Sequence, residues 1–459
     1  MNKVKLIATL GPACEDKEIL KNLAKKGLSV IRFNFSHANH KDSENILKII
    51  KDINKENDNY LGTMLDTKGP EIRTHDFVEK CQIKKNSEVR IAFKEILGTK
   101  EKFSVTYDKL YDDIQEGNLI FIDDGYLTLE VIQKDAQNHE LITKAKNSHV
   151  VKSRRGVNIP NIKLQMSYIS EKDKNDIIFA CQQNYNFLAL SFVRRKQDIL
   201  DVKKILNSQN NHNIQIISKI ENQEGLDNLE EIIKYSDGIM VARGDLGIEI
   251  NSAMVPFYQT QIIQNCLKFG KPVIVATQML ESMQKNPCPT KAETSDVYNA
   301  VLEGTSSTML SGETAAGLYP ENAVTTMYQI QQEAEKNINY ESLSQIYNYQ
   351  KPEDMFAWGI IKMTLKHSFA AIIVDDKKYS IALSKFRPKI KVFVKVDSIH
   401  EATSLSLNFA NIPYLSDSEL DKKLNILKKE NNNDLLLQIT KDTLKIKSLS
   451  QQNYELNIK

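Results

Sequence analysis

The sequence predicts an α/β protein: a (β/α)8 TIM barrel with an inserted small all-β lid domain and a C-terminal α/β domain. Three observations carry this. Short β-rich apolar runs alternate with amphipathic segments over the first three quarters of the chain. About eight parallel β/α units of that size close into a barrel. The alternation breaks between residues 70 and 160, where apolar and polar residues alternate without long helices between the runs. Beyond a polar stretch near residue 340, strand and helix patterns resume.

Barrel strands are expected at 4–10, 30–35, 60–66, 187–192, 214–221, 238–243, 272–278 and 308–311, with helices between them at 16–26, 41–54, 171–183 and 197–207. Residues 225–235 show the helical period, with Leu226, Leu229, Ile232 and Ile233 on one face. Ser170 followed three residues later by Asp173 resembles a capping box. The all-β segment has runs at 88–93, 119–122, 126–132, 140–146 and 150–152. The expected division is barrel 1–69, inserted β-barrel lid 70–160, barrel 161–337, linker 338–352 and a divergent C-terminal domain 353–459. Pro70 and Pro160 stand at the crossings, where rigid residues define a hinge, and a lid over a barrel mouth excludes water. A helix runs from Pro320 through Lys336, and C-terminal strands are expected at 370–374, 391–396 and 435–439. The one low-complexity run is Asn431-Asn432-Asn433.

At 459 residues, with 41% hydrophobic and 26% charged residues, the chain is an ordinary globular protein of two or three domains. Lys and Arg at 61 nearly cancel Asp and Glu at 59, so the net charge of +2 offers no global field for nucleic acid or membrane, although local basic patches stay open. Cys14, Cys81, Cys181, Cys266 and Cys288 contain no CxxC pair and read as reduced packing thiols. The first residues reach Gly11-Pro12 without the pattern of a signal peptide, and no stretch approaches the roughly 20 apolar residues that span a bilayer. A soluble, cytoplasmic protein without nucleic-acid or membrane partners is expected.

Barrel chemistry sits at the C-terminal ends of strands, and those ends are charged here. The fifth run ends in Lys219-Ile220-Glu221 and the sixth in Ala242-Arg243-Gly244-Asp245. Arg32, Asn34, Ser36 and His37 end the second; Asp66, Thr67, Glu71 and Arg73 follow the third; Ser191 and Arg194 end the fourth. Thr277 ends the seventh, and Ser311-Gly312-Glu313-Thr314 ends the eighth. Any one of them reads as a solvated strand end, but a purely structural barrel has no reason to gather polar residues at one end of so many strands. Arg32, Arg73 and Lys219 are cations able to hold phosphoryl oxygens. Glu221 and Asp245 are hard donors suited to Mg²⁺ shared with a phosphorylated substrate. Asn34, Ser36, Asp66 and Thr67 form an all-oxygen set for a weakly bound monovalent cation. The turn at Arg243-Gly244-Asp245 exposes backbone N–H groups for a carboxylate, and Thr277 adds a hydroxyl on the opposite wall. Phosphoryl transfer needs this kit of positioning and positive charge.

The stretches 32–37 (RFNFSH), 66–73 (DTKGPEIR), 218–222 (SKIEN), 240–247 (MVARGDLG), 276–283 (ATQMLESM) and 309–315 (MLSGETA) resemble the motifs of the pyruvate kinase family, in order along barrel and lid. The resemblance implies transfer of the phosphoryl group of phosphoenolpyruvate to ADP, giving ATP and pyruvate in glycolysis, with Mg²⁺ (or Mn²⁺) and K⁺ as cofactors. It implies that Arg32 binds the phosphoryl group and that Asn34, Ser36, Asp66 and Thr67 hold K⁺. Arg73 would contact the nucleotide phosphates and the transferring group, with His37 and Arg155 also at the nucleotide. Lys219 would stabilise the transition state, Glu221 and Asp245 would hold Mg²⁺, and Gly244, Asp245 and Thr277 would bind the substrate carboxylate. Thr277 and Ser311 would orient a water chain that delivers the enolate proton. Glu71 implies K⁺ dependence, since members with Lys there tend to dispense with the cation. Homotetramers are usual in the family.

Several positions depart from the family pattern. Arg155 and Lys291 exchange the usual Lys and Arg, and Ser306-Ser307-Thr308 replaces a segment that normally includes an aspartate near the subunit contact. In the third domain 383–388 (LSKFRP) matches, but Asp375 and Asp376 stand in a loop that is rich in Thr, Ser and Gly where the family binds a sugar phosphate. The expectation is that fructose 1,6-bisphosphate does not activate. Two rivals compete with the kinase: a Mg²⁺-dependent 2-oxo-acid lyase with Lys219 as a Schiff-base lysine, and a degenerate non-catalytic paralogue. Arg32, Arg73 and the lid speak against the first, since a lyase needs no nucleotide grip. The intact charged set speaks against the second.

Overall fold

The computed structural model describes residues 2–56, 59–160, 162–349, 351–430, 435–440, 443–448 and 456–458. Eight parallel strands close a barrel: Lys5–Thr9, Val30–Asn34, Gly62–Asp66, Phe187–Leu190, Gln215–Ile220, Gly238–Ala242, Val273–Ala276 and Ser307–Leu310. Each lies beside its neighbours in sequence, and the first pairs with the eighth. They fall within a residue or two of the eight expected runs. Both faces are covered, which is why the runs read as continuously apolar. Ile7, Val30, Met64, Phe187, Ile217 and Met240 fill the interior, and Leu407 from the C-terminal segment joins that cluster.

The helices Lys17–Lys25, His40–Glu56, Glu171–Gln183 and Lys196–Ser208 lie where the periodicity put them. The capping box at Ser170 and Asp173 is present. One expectation needs correction. The helix foreseen at 225–235 is two helices, Gln223–Asp227 and Leu229–Tyr235, broken at Asn228. The Asn228 amide donates to the carbonyls of Arg194 and Glu224 at 2.9 and 3.0 Å, which ties the break to the loop after the fourth strand.

The inserted segment forms a seven-stranded sheet in the order Ile72–Arg73, Gly156–Asn158, Leu119–Ile122, Leu127–Asp135, Glu140–Ala145, Glu88–Ala92, Lys102–Ser104. An antiparallel bridge between Thr74 and Val105 joins its two edges. It has its own core, including Ile91, Phe103, Ile120 and Leu129. Four short strands of the insert are not among the expected runs: Ile72–Arg73, Cys81–Ile83, Lys102–Ser104 and Gly156–Asn158. Two or three residues are too few to show alternation. The polar stretch 338–352 contains a short helix, Tyr340–Ser344, with Tyr340 and Leu343 buried against the barrel cluster. The C-terminal sheet runs Asn411–Tyr414, Lys391–Lys395, Ala371–Val374, Leu435–Ile439, Leu444–Ser448, Leu456–Ile458, the first four parallel. The Asn431–Asn433 run lies outside the described residues.

Candidate active site

The ends of five adjacent barrel strands converge on one buried ion network. The second and third are paired with Asn34 opposite Asp66, so their polar ends stand side by side. Arg32 Nε donates to Asp66 Oδ2 at 2.6 Å and Nη1 donates to Thr9 Oγ1 at 3.0 Å. Lys219, near the end of the fifth strand, donates to Ser191 Oγ at 2.7 Å and to Asp66 Oδ1 at 3.2 Å. It also pairs with Glu221 Oε1 at 2.9 Å. The Ser191 hydroxyl donates toward Asp66 Oδ1 and the Thr67 carbonyl at 3.0 and 2.6 Å. Every member of this network is buried.

Burial alone would make each charge costly, and the pairings decide the outcome. Burial works against the Asp66 carboxylate, yet Arg32 and Lys219 hold it below its ordinary range. Burial likewise lowers the Lys219 ammonium, but Asp66 and Glu221 override it, so the cation is held charged. Glu221 goes the other way. Burial, reinforced by Asp245 and only partly opposed by Lys219, pushes it up to about 7. Its Oε2 accepts the Phe192 N–H at 2.5 Å, while Oε1 accepts no aligned hydrogen bond beyond the Lys219 ion pair. Phe192 sits at φ 54°, a left-handed conformation for a bulky residue, at the place where it meets Glu221.

A second strained corner faces the first. Thr277 and Gln278 after the seventh strand have φ of 66° and 54°. Thr277 Oγ1 accepts the Gly244 N–H at 2.7 Å and donates to the Ala276 carbonyl at 2.6 Å. Arg243 holds the corner: Nη2 donates to the Thr277 carbonyl at 2.7 Å, and Nη1 pairs with Asp296 at 2.7 Å. Asp245 stands in the first turn of the helix Arg243–Glu249, near enough to Glu221 and Lys219 to act on both charges. Ser311 follows directly on the eighth strand, its Oγ buried without a hydrogen-bond partner and its N–H donating to Glu313 Oε2 at 2.7 Å.

Of the other expected residues, Thr67 touches this network through its carbonyl, while Arg73, Arg155 and His37 lie apart from it. Arg73 is on the lid, its Nε and Nη2 gripping Glu71 at 2.9 and 2.7 Å and its Nη1 on the Arg154 carbonyl at 2.9 Å. Arg155, also on the lid, stands 3.7 Å from Asp123. His37 is exposed on the loop after the second strand. Asn34, Ser36 and Thr67 line the neighbouring turns, with Asn34 Oδ1 accepting the Ser36 N–H at 3.1 Å. Two side chains carry parts that the sequence does not assign them, those of Ser191 and Arg243. Ser191 was one hydroxyl at a strand end, and only folding shows that it joins Lys219 to Asp66. Arg243 sits beside Gly244 and Asp245 in the same motif, which was the available signal. Between lid and barrel lies a cleft of about 340 Å³ lined by Glu71, Asp124, Asn158, Arg194, Asp245 and Glu249. Asn158 of the lid donates to Glu249 of the barrel at 2.7 Å across it.

The sequence profile of the family described as "Pyruvate kinase, barrel domain" matches residues 1–324. A pyruvate kinase of Staphylococcus haemolyticus (strain JCSC1435) is 43% identical over 423 residues, 90% of this chain and 72% of that protein. One of Clostridium acetobutylicum is 43% identical over 424 residues, 91% of this chain and 89% of its own length. Among solved structures, a pyruvate kinase from Cryptosporidium parvum superposes with a TM-score of 0.90 at 33% identity, covering 98% of this chain and 96% of that one. Over barrel, lid and C-terminal sheet alike, the chain belongs to the pyruvate kinase family.

Proposed function

We propose that this chain transfers the phosphoryl group of phosphoenolpyruvate to ADP, giving pyruvate and ATP, and that the buried network at the strand ends performs the transfer. The observation that carries the reading is Lys219: a buried ammonium kept charged between Asp66 and Glu221 and steadied by Ser191. Negative charge spreads over the phosphoryl oxygens as the group moves, and a preorganised cation stabilises that state more than the ground state. Arg32, fixed by Asp66 and Thr9, presents a second cation without searching for it. Gly244, Asp245 and Thr277 hold the substrate carboxylate, and the unpartnered Ser311 hydroxyl with Thr277 orients the water that protonates the enolate. Arg73, with His37 and Arg155, reaches the nucleotide phosphates as the lid closes.

The donor set fits the cations that the family implies. Glu221 Oε1 is a buried acceptor with no aligned donor, and Asp245 adds a second carboxylate. Among the described residues no group of three or more His, Cys, Asp or Glu forms a metal cage, so Mg²⁺ or Mn²⁺ would take its remaining ligands from substrate and water. Such an ion, when bound, neutralises oxygens of the transferring group. Asn34, Ser36, Asp66 and Thr67 supply oxygen ligands for K⁺. The same reading makes this a cytoplasmic glycolytic enzyme acting as a homotetramer. No described helix is long and apolar enough to cross a membrane, and the subunit count is read by analytical ultracentrifugation.

A coupled assay tests the function. Pyruvate formation that requires phosphoenolpyruvate, ADP, Mg²⁺ and K⁺ supports the kinase. Pyruvate released from a 2-oxo-acid substrate without ADP supports the lyase, and no turnover at saturating substrates supports the non-catalytic paralogue. Lys219→Met is expected to lower kcat by about 10³-fold or more while the protein stays folded. Near-normal turnover removes Lys219 from its role.

A further inference from the structure

We propose that the first turn of the helix Glu171–Gln183 is a clamp on the monovalent-cation site, with Lys172 and Asp173 as positioning residues that set how strongly and how selectively the site binds. The proposal rests on the reading of Asn34, Ser36, Asp66 and Thr67 as K⁺ ligands. It concerns two residues that touch none of the reacting groups, one of them, Asp173, already the capping carboxylate of its own helix.

Asp173 closes the capping box with one carboxylate oxygen only. Oδ2 accepts from the Ser170 hydroxyl at 2.6 Å, and the Ser170 hydroxyl accepts the Asp173 N–H at 3.0 Å. A capping carboxylate ordinarily serves its own helix. Here Oδ1 faces away from it and accepts the backbone N–H groups of Lys68 and Gly69 at 3.1 and 3.2 Å. Those two peptides follow directly on Asp66 and Thr67. Asp173 is buried, so its hold is not shared with solvent.

Lys172, one residue earlier, grips the other ligand loop. Its ammonium donates to the Phe35 carbonyl at 2.7 Å and to Asp176 Oδ2 at 2.6 Å. Phe35 lies between Asn34 and Ser36, and its own N–H donates to the Asp66 carbonyl at 2.9 Å. The peptide groups flanking Phe35 are thus tied to the third strand on one side and to Lys172 on the other. The Lys172 side chain is partly exposed, but its buried carboxylate partner is held in place. Asp176 Oδ1 is bonded to His40 Nε2 at 2.8 Å, and the His40 ring stacks on Phe179 with centroids 4.2 Å apart and planes 1° from parallel. One helical turn therefore anchors both halves of the oxygen set, Asn34–Ser36 through Lys172 and Asp66–Thr67 through Asp173.

The consequence is selectivity. A site made of neutral and carboxylate oxygens prefers a large monovalent ion over a small one when its donors are held at a spacing they cannot easily reduce. Donors on two separately mobile loops would collapse around Na⁺ as readily as they open for K⁺. Groups outside the ligand set that orient ligands typically change affinity by about 10–100-fold when removed.

The experiment titrates K⁺, then Na⁺, into the assay of the full-length protein at constant ionic strength, for the wild type, Lys172→Met, Lys172→Arg and Asp173→Asn. The melting temperature of each is recorded. The expected result is a half-saturating K⁺ concentration raised by about tenfold or more and a smaller K⁺-over-Na⁺ preference in Lys172→Met and Asp173→Asn. The kcat at saturating K⁺ stays within a few-fold of wild type, and Lys172→Arg recovers part of the loss. A lowered melting temperature with unchanged half-saturation and selectivity in both variants makes the turn a structural cap and overturns the proposal. If one variant does not fold, the other decides on the same readout. A wild type indifferent to K⁺ overturns the cation-site reading itself, and that control separates the two failures.

Discussion

Glu221 carries a pH dependence whose sign follows from its surroundings. Its folded-state value is raised from 4.5 to about 7, chiefly by burial. Between those values the folded protein keeps a proton that the unfolded chain has lost. The metal-free fold therefore gains stability from this group as pH falls through that window, and above about 7 it bears the full cost of the buried charge. Metal binding needs the carboxylate, so the proton competes. Mn²⁺ affinity is expected to fall about tenfold per pH unit below pH 7, as read by electron paramagnetic resonance from pH 5.5 to 8.5. A flat profile would remove Glu221 as a ligand. Ser191 gives a second expectation. Ser191→Ala leaves Lys219 with carboxylates but no hydroxyl to fix its direction, and kcat should drop by about 10–100-fold, in line with the roughly 1.5–3 kcal/mol of a hydrogen bond to a charged group. Unchanged steady-state kinetics would assign Ser191 to packing alone. The cations and carboxylates of this site were legible in the sequence because an apolar run ending in charge is unusual. Ser191 and Arg243 were not, because their partners, Asp66 and Thr277, are distant in sequence and meet only in the folded barrel.

Among the elements, the barrel strands and the helices Lys17–Lys25, His40–Glu56, Glu171–Gln183, Lys196–Ser208 and Pro320–Lys336 were readable from periodicity, since burial on both faces or on one stripe leaves a clear pattern, whereas Val255–Lys268, Lys291–Leu302 and the C-terminal helices were not. The short lid strands and the break at Asn228 were not, because they are set by partners elsewhere. The helix Lys377–Lys385 shows how the structure sharpens an expectation. Asp376 caps it, accepting the Lys378 N–H at 2.7 Å, so a carboxylate already occupies the positive helix end that a phosphate would seek. Lys377 lies 3.8 Å from Glu401 and Lys378 lies 3.6 Å from Glu353, pairings that a phosphate would have to displace. Fructose 1,6-bisphosphate is therefore expected to leave the phosphoenolpyruvate saturation curve where it is. A leftward shift in initial-rate assays would show that the loop binds the effector despite Asp375 and Asp376.

At the scale of the whole molecule, the lid and barrel face each other with like charge. Asp124, at the lid turn with φ 55°, is pushed up by burial and then by Asp123 and Asp245, with Arg155 opposing. Glu249 on the barrel side is raised mainly by burial, and Asn158 partly offsets this by bonding to its carboxylate. Acidic groups on both walls of the cleft repel as the walls approach, and a divalent cation with a nucleotide brings both neutralising charge and a ligand to bridge them. The Asn158–Glu249 bond is the one direct lid-to-barrel hydrogen bond lining that cleft among the described residues. Glu249→Ala should therefore loosen closure without touching the network around Lys219. KM for ADP is expected to rise about tenfold, equivalent to roughly 1.4 kcal/mol, with kcat falling less. Small-angle scattering should show a smaller compaction on adding Mg²⁺ and ADP than the wild type shows. If compaction and KM both match the wild type, closure is governed by the hinges at Pro70 and Pro160 and not by this contact.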